Sequence, residues 1–162
     1  NMMKRFETSG WWVLLVAPVF LAAACAGEGG GKSSRITLAD PWARAMPFLA
    51  EEGEAGVNSA VYLRIRNEGS APDRLLGGET SAAGAVEIHE SFLEGEIMRM
   101  RAVDGLEIPA GAVVELRPGG LHVMLLDLQE PLLAGEELGL TLHFQEAGAL
   151  ETTVPIRAPA SE

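Results

Sequence analysis

His89, Met100, His122 and Met124 bring two imidazoles and two thioethers together in a chain that has only three His and six Met. Thioether sulfur is a soft, neutral donor with little affinity for calcium or magnesium, but it binds Cu(I) well, and imidazole suits the same ion. The combination points to copper. In His122-Val123-Met124 the two donors stand at i and i+2, so on a strand they project from one face, while Leu121, Val123 and Leu125 take the other. Met98 and Met100 repeat this spacing, which allows Met98 to act either as a further donor or as a cover over the site. His89 closes a run in which Val86 and Ile88 alternate away from it, and the Pro118-Gly119-Gly120 turn sets His122 at the start of its strand. Three strand ends are thereby expected to converge on one site at a rim. Taken singly, each residue has an ordinary explanation, because a strand Met usually fills core and a lone His is usually hydrogen-bonded or exposed. Their clustering is what carries the metal reading.

The same set excludes other chemistry. A blue-copper electron-transfer site needs a thiolate beside its imidazoles, and a disulfide-reducing assembly factor needs a Cys pair. The only Cys is Cys25, well upstream of the candidate ligands. No nucleophile, base and orienting group recur at a spacing that implies catalysis, so there are no catalytic candidates, and Ser91 near His89 reads as a strand residue. Two imidazoles and two thioethers leave a bound Cu(I) with its single charge, limit the proton competition that thiolates face and favour the reduced ion. Such a site suits a carrier.

The elements that must position these donors are strands. From Arg35 onward, apolar residues alternate and Gly or Pro interrupts them, which predicts an all-β domain of about eight strands, a sandwich or barrel. The expected strands cover 36–38, 58–67, 86–90, 97–101, 113–116, 121–128, 137–145 and 152–157. Turns are expected at 67–70, 94–96, 109–111 and 118–120, where Asn, Gly and Pro supply the dihedrals. Leu138, Leu140, Leu142 and Phe144 should face the core, leaving His143 at the surface, and Val61, Leu63 and Ile65 should face inward with Tyr62, Arg64 and Arg66 outward. Met46, between Ala45 and Pro47, falls in a loop, where local packing is expected. Short helical turns are allowed at 43–46 and 81–85.

The chain has 162 residues and a formal net charge of −11, the size of one domain with tails. An acidic surface repels phosphate backbones, which argues against nucleic acid as a partner, and it attracts cations or a basic partner surface. The negative charge serves solubility equally well. Lys4 and Arg5 followed by the apolar run from Trp11 to Leu21 read as a signal peptide over 1–24. The stretch is too short to span a bilayer and is broken by Pro18, so a retained transmembrane anchor is disfavoured. Leu21-Ala22-Ala23-Ala24-Cys25 is similar to a bacterial lipobox, with Ala22 where the usual Leu stands, and implies lipidation of Cys25. Ordinary signal-peptidase cleavage at the small-residue run is the competing route. Residues 25–34 then form a Gly/Ser-rich tether, residues 35–157 the β domain and residues 158–162 a short tail. Asn1 before Met2-Met3 leaves the start site open. Either route puts the domain outside the cytoplasm, where a lone Cys leaves it no disulfide.

The order His89, ten residues, Met100, twenty-one residues, His122, one residue, Met124 resembles the motif of the PCu(A)C family of periplasmic copper chaperones. Flanking residues are similar too: Asp73-Arg74-Leu75-Leu76-Gly77, Glu87-Ile88-His89-Glu90, Met98-Arg99-Met100 and Pro118-Gly119-Gly120-Leu121 before His122. The resemblance runs from about Ala39 to about Phe144. It implies a cupredoxin-like, mostly antiparallel β-barrel or sandwich. It also implies one Cu(I) per chain on His89, Met100, His122 and Met124, and delivery to the copper-accepting subunit of cytochrome c oxidase or to another assembly factor. The protein would act as a monomer held to a membrane through lipid on Cys25. Many members carry Met after the first His, where this chain has Glu90. Some also have a His- and Met-rich tail for a second copper, and residues 158–162 contain neither residue, so one site is expected. A general periplasmic copper buffer, and a tethered interaction module without metal, are the rival readings. Copper binding separates the last, and transfer to an acceptor the former.

Overall fold

The computed structural model describes residues 32–48 and 56–158. The signal-peptide segment, Cys25 and residues 159–162 lie outside the described residues. Ten strands and no helix are present among those described: β1 (Ile36–Arg44), β2 (Ser59–Asn67), β3 (Asp73–Glu79), β4 (Ala83–Glu94), β5 (Ile97–Ala102), β6 (Leu106–Ile108), β7 (Val113–Leu116), β8 (Leu121–Leu128), β9 (Glu137–Phe144) and β10 (Gly148–Arg157). The expected count of eight is corrected to ten. The additions are β3, whose Gly77-Gly78 interrupts the alternation, and β6, only three residues long. Neither helical turn forms. Residues 43–46 finish β1 and a bridge, and residues 81–85 are a turn running into β4.

The strands follow the order β5-β4-β8-β2-β1-β10-β9-β3-β6, with β7 beside the second half of β2. All pairings are antiparallel except β1 with β10, which joins the β1-β2-β4-β5-β7-β8 side to the β3-β6-β9-β10 side. The outer strands β5 and β6 do not meet, so this is an open sandwich and not a closed barrel. Inward residues of both sides form one apolar cluster, including Val61, Leu63, Ile65, Val123 and Leu125 from one and Leu140, Leu142, Phe144 and Ile156 from the other. The alternation read in β2 and β9 therefore has its physical cause in one-faced burial, each side of the sandwich turning its inner face to the shared core.

Two local features shape the outer face of the larger side. The register of β1 against β2 shifts between Ala39 and Trp42, at Asp40, whose φ is 50° and whose carboxylate pairs with Arg64. The shift reverses the alternation of β1: Ile36 points inward before it and Ala43 after it, which turns Trp42 outward beside Tyr62. At the other end of the sheet, β4 and β5 form a hairpin closed by Gly95-Glu96, with Gly95 at φ 68°, a conformation glycine adopts without steric cost. This hairpin makes β4 twelve residues long. His89 lies in its middle and not at its end, so the expectation of a site on converging strand ends is corrected.

Candidate metal centre

The candidate ligands occupy the outer face of the sheet, opposite the core. In β8, Val123 and Leu125 are buried, which turns His122 and Met124 outward. In β4, buried Ile88 turns Glu87, His89 and Ser91 outward in the same way. The β4-β8 register pairs His89 with His122 and Glu87 with Met124, and the β4-β5 register pairs Ser91 with Met100 and Leu93 with Met98. Cross-strand partners share a face. His89, Met98, Met100, His122 and Met124 thus lie on one surface although thirty-four residues separate the first from the last.

The rings of His89 and His122 are 6.0 Å apart between centroids and tilted by 51°, close enough for both to reach one ion. His122 is only 4% exposed. Its Nδ1–H donates to the Gly120 carbonyl at 3.0 Å. A carbonyl can only accept, so the neutral ring carries its proton on Nδ1 and keeps Nε2 free as a donor to a metal. His89 is oriented from the other side: its Nε2 lies 2.9 Å from the Glu87 carboxylate, which leaves Nδ1 free in the neutral ring. Burial pushes the pKa of His122 below its usual value against the opposing effect of the Gly120 hydrogen bond, and the nearby His89 and Arg44 push it further down. The imidazole is accordingly neutral at neutral pH, the state that binds metal.

An aromatic wall flanks His122. Tyr62 lies 6.3 Å from it and Trp42 4.5 Å from Tyr62, between ring centroids. The Arg157 guanidinium stacks over Trp42, and Arg44 donates to the Tyr62 hydroxyl at 3.0 Å. A 140 Å³ cavity beside this wall is lined by Arg44, Met46, Tyr62, Met100, His122 and Met124 among others. Met100 is 58% exposed, so this side of the site opens to solvent. Met98 is as exposed but is not among the lining residues; it sits one strand pair nearer the hairpin turn, against Leu93. His143 lies on β9, paired with Gly77 and Ala149, in another part of the sandwich.

A larger cavity of 460 Å³ near Asp73 and Arg74 contains no His, Met or Cys among its lining residues. Among the described residues no group of three or more His, Cys, Asp or Glu is placed to hold a metal. The donor set on the outer face is therefore imidazole and thioether without a carboxylate cage, which fits Cu(I) and does not fit calcium or magnesium.

Trp42, Arg44, Met46, Tyr62 and Glu87 join the site without having been marked for it by the sequence. Glu87 stands two residues before His89, on the same strand face, and that spacing is a usable signal. Tyr62 alternates outward as expected, but its burial depends on Trp42, which reaches it only through the shift at Asp40. No sequence period shows that shift.

An antiparallel-dominated open sandwich carrying imidazoles and thioethers on an outer sheet face defines a protein of the PCuAC type. The copper-bound PCuAC domain of PmoF2 superposes with a TM-score of 0.61 at 28% identity, covering 76% of this chain and 93% of that domain. The apo PCuAC domain of PmoF1 gives 0.59 at 30% identity, covering 76% and 94%. The Cu(I) form of DR1885 from Deinococcus radiodurans shares the fold, with a TM-score of 0.55 at 24% identity over 82% of this chain and 85% of that one. The model of the family described as "Putative lipoprotein LpqE-like" matches residues 36–156, and the chain belongs to this family. A relative from Leifsonia xyli subsp. xyli, described as "Putative lipoprotein Lxx21020", is 34% identical over 100 residues, 61% of this chain. An uncharacterised protein of Rickettsia prowazekii is 30% identical over 112 residues, 68% of this chain. In both cases the match spans 60% of the relative's length.

Proposed function

We propose that this chain is an extracytoplasmic copper chaperone. It binds one Cu(I) through His89, Met100, His122 and Met124 and delivers it to the copper centre of cytochrome c oxidase during assembly. Residues 1–24 act as the export signal, and lipid on Cys25 with the tether up to residue 34 holds the domain at the membrane. It works as a monomeric carrier and not as a catalyst, and copper is its cargo.

The observation that carries this reading is the shared face of the four donors, with His89 directly opposite His122 and each ring held by a partner that leaves one nitrogen free. The likeness to copper-bound PCuAC domains supports it. The open position of Met100 suits an acceptor that takes over one ligand at a time, so copper passes by exchange and is not released into solution.

The test is Cu(I) retention by the Met100→Leu, Met124→Leu double variant against a competing chelator. Leucine keeps the apolar volume and removes both sulfurs. Retention is expected to fall to the level of free copper while the fold persists, and unchanged affinity removes the assignment. Incubating the loaded protein with the apo copper domain of an oxidase subunit then tests delivery: copper moves to the acceptor if the chain is its donor, and stays behind if the chain is only a buffer.

A further inference from the structure

Four methionines occur among the described residues, and three of them, Met46, Met100 and Met124, line the 140 Å³ cavity beside His122. The backbone of Met46 is fixed. Its N–H and carbonyl both pair with Leu132, each at 2.8 Å, in an antiparallel bridge, and Leu132 is buried in the core. Its position at the cavity wall is thus held by the fold, and on meeting an ion its side chain has only its own rotamers to lose.

Several polar groups at the cavity wall already have protein partners. The Ser59 hydroxyl donates to the Arg44 carbonyl, the Arg44 guanidinium to the Tyr62 hydroxyl, and His122 Nδ1 to the Gly120 carbonyl. Beside the neutral Ser91 hydroxyl, the donors left to a guest are three thioether sulfurs and Nε2 of His122. His89 is not among the lining residues. Arg44 adds a fixed positive charge, which disfavours a doubly charged ion more than a singly charged one.

We propose that Met46 is a further thioether donor. It gives the ion a second coordination position in this cavity, formed by Met46, Met100, His122 and Met124, next to the position between His89 and His122. The inference rests on the copper reading of the site. Three donors are common to both positions, so passage between them breaks only the bond from copper to the His89 nitrogen and forms one to the Met46 sulfur. Both ligands are neutral, no proton or electron moves, and the ion stays Cu(I). With three sulfurs and one nitrogen, the cavity position favours the reduced ion more strongly than the two-imidazole position. It would hold copper as Cu(I) in an oxidising compartment while His89 is free.

The test combines methionine methyl NMR during anaerobic Cu(I) titration with chelator competition on the unmodified protein, Met46→Leu, His89→Ala and the double variant. Leucine preserves the apolar contact of Met46 with the core, so a packing role predicts no change in copper binding. The proposal predicts that the Met46 methyl resonance moves together with those of Met100 and Met124. It also predicts that Met46→Leu in the His89→Ala background weakens Cu(I) binding roughly tenfold or more, with one sulfur fewer at copper by X-ray absorption. A Met46 resonance that stays in place while Met100 and Met124 shift, or equal binding by His89→Ala and the double variant, overturns it. If the unmodified protein takes up no copper and no methionine resonance moves, the copper reading itself fails and this inference falls with it.

Discussion

His122 is kept neutral by its surroundings, and this couples protons to folding and, on the proposed ligand set, to copper binding. Burial lowers its pKa from the usual 6.5, with His89 and Arg44 adding to the effect. An unfolded chain takes up a proton near pH 6.5, whereas the folded chain resists until lower pH. The folded apo-domain therefore keeps its full stability above 6.5 and loses part of it as pH falls from there through the lowered folded value. Denaturant unfolding of the apo-domain at about pH 7.5 and about pH 5.5 is expected to show this loss in the native sequence and a smaller one in His122→Asn. If His122 is a ligand as proposed, proton competition for copper at this ring sets in below 6.5 for the same reason, and Cu(I) retention should extend into mildly acidic solution further than at an exposed imidazole.

At the scale of elements, the turn between β9 and β10 depends on a side chain from β3. Asp73 is buried, and its carboxylate accepts hydrogen bonds from the backbone N–H groups of Glu146 at 2.9 Å, Ala147 at 3.0 Å and Arg74 at 2.7 Å. Burial alone pushes its pKa up, but the hydrogen bonds from Glu146, the Ser34 side chain, Arg74 and Ala147 together outweigh this, and the net shift is downward from 3.8. The stability it contributes is present above about 3.8 and is lost as pH falls through the lower folded value. Asp73→Ala leaves the three donors without their partner and is expected to cost about 2–3 kcal/mol in chemical denaturation. The variant should also lose the part of the acid transition that belongs to this group.

The role of Asp73 also marks where sequence reading reaches its end. Alternating residues in β2, β8 and β9 are legible because each strand buries one face, and a period of two records that directly. The i, i+2 spacings of His122-Met124 and Met98-Met100 are legible for the same reason. Strand β3 is not, because its pairing with β9 shifts register between Leu75 and Gly77 and Gly77-Gly78 offer no side chain to alternate. The Trp42-Tyr62 wall depends on the register shift at Asp40, and Met46 on a single bridge to Leu132. Both are contacts between distant segments that no local period encodes. Ser33, in the stretch expected to be tether, accepts hydrogen bonds from Ser70 and Ala71, a long-range contact of the same kind.

For the whole molecule, the lipid proposed on Cys25 predicts where the domain is found. With lipid on its sulfur the domain partitions with membranes, and Cys25→Ser should release it into the soluble extracytoplasmic fraction without changing copper binding, which fractionation and metal analysis can read. Retention of the variant at the membrane would show that something other than this Cys anchors the chain. The parallel pairing of β1 with β10, registered at Ala43 with Ile156 and Arg44 with Arg157, bears on how such a chain reaches that destination. Strand β1 finds one of its two neighbours only when β10 has been made, so the sheet stays incomplete until then. A chain ended after residue 147 should therefore be protease-sensitive and lack cooperative unfolding. Late closure of this kind suits the export proposed above: a chain whose β1 still lacks a neighbour stays threadable until β10 joins it.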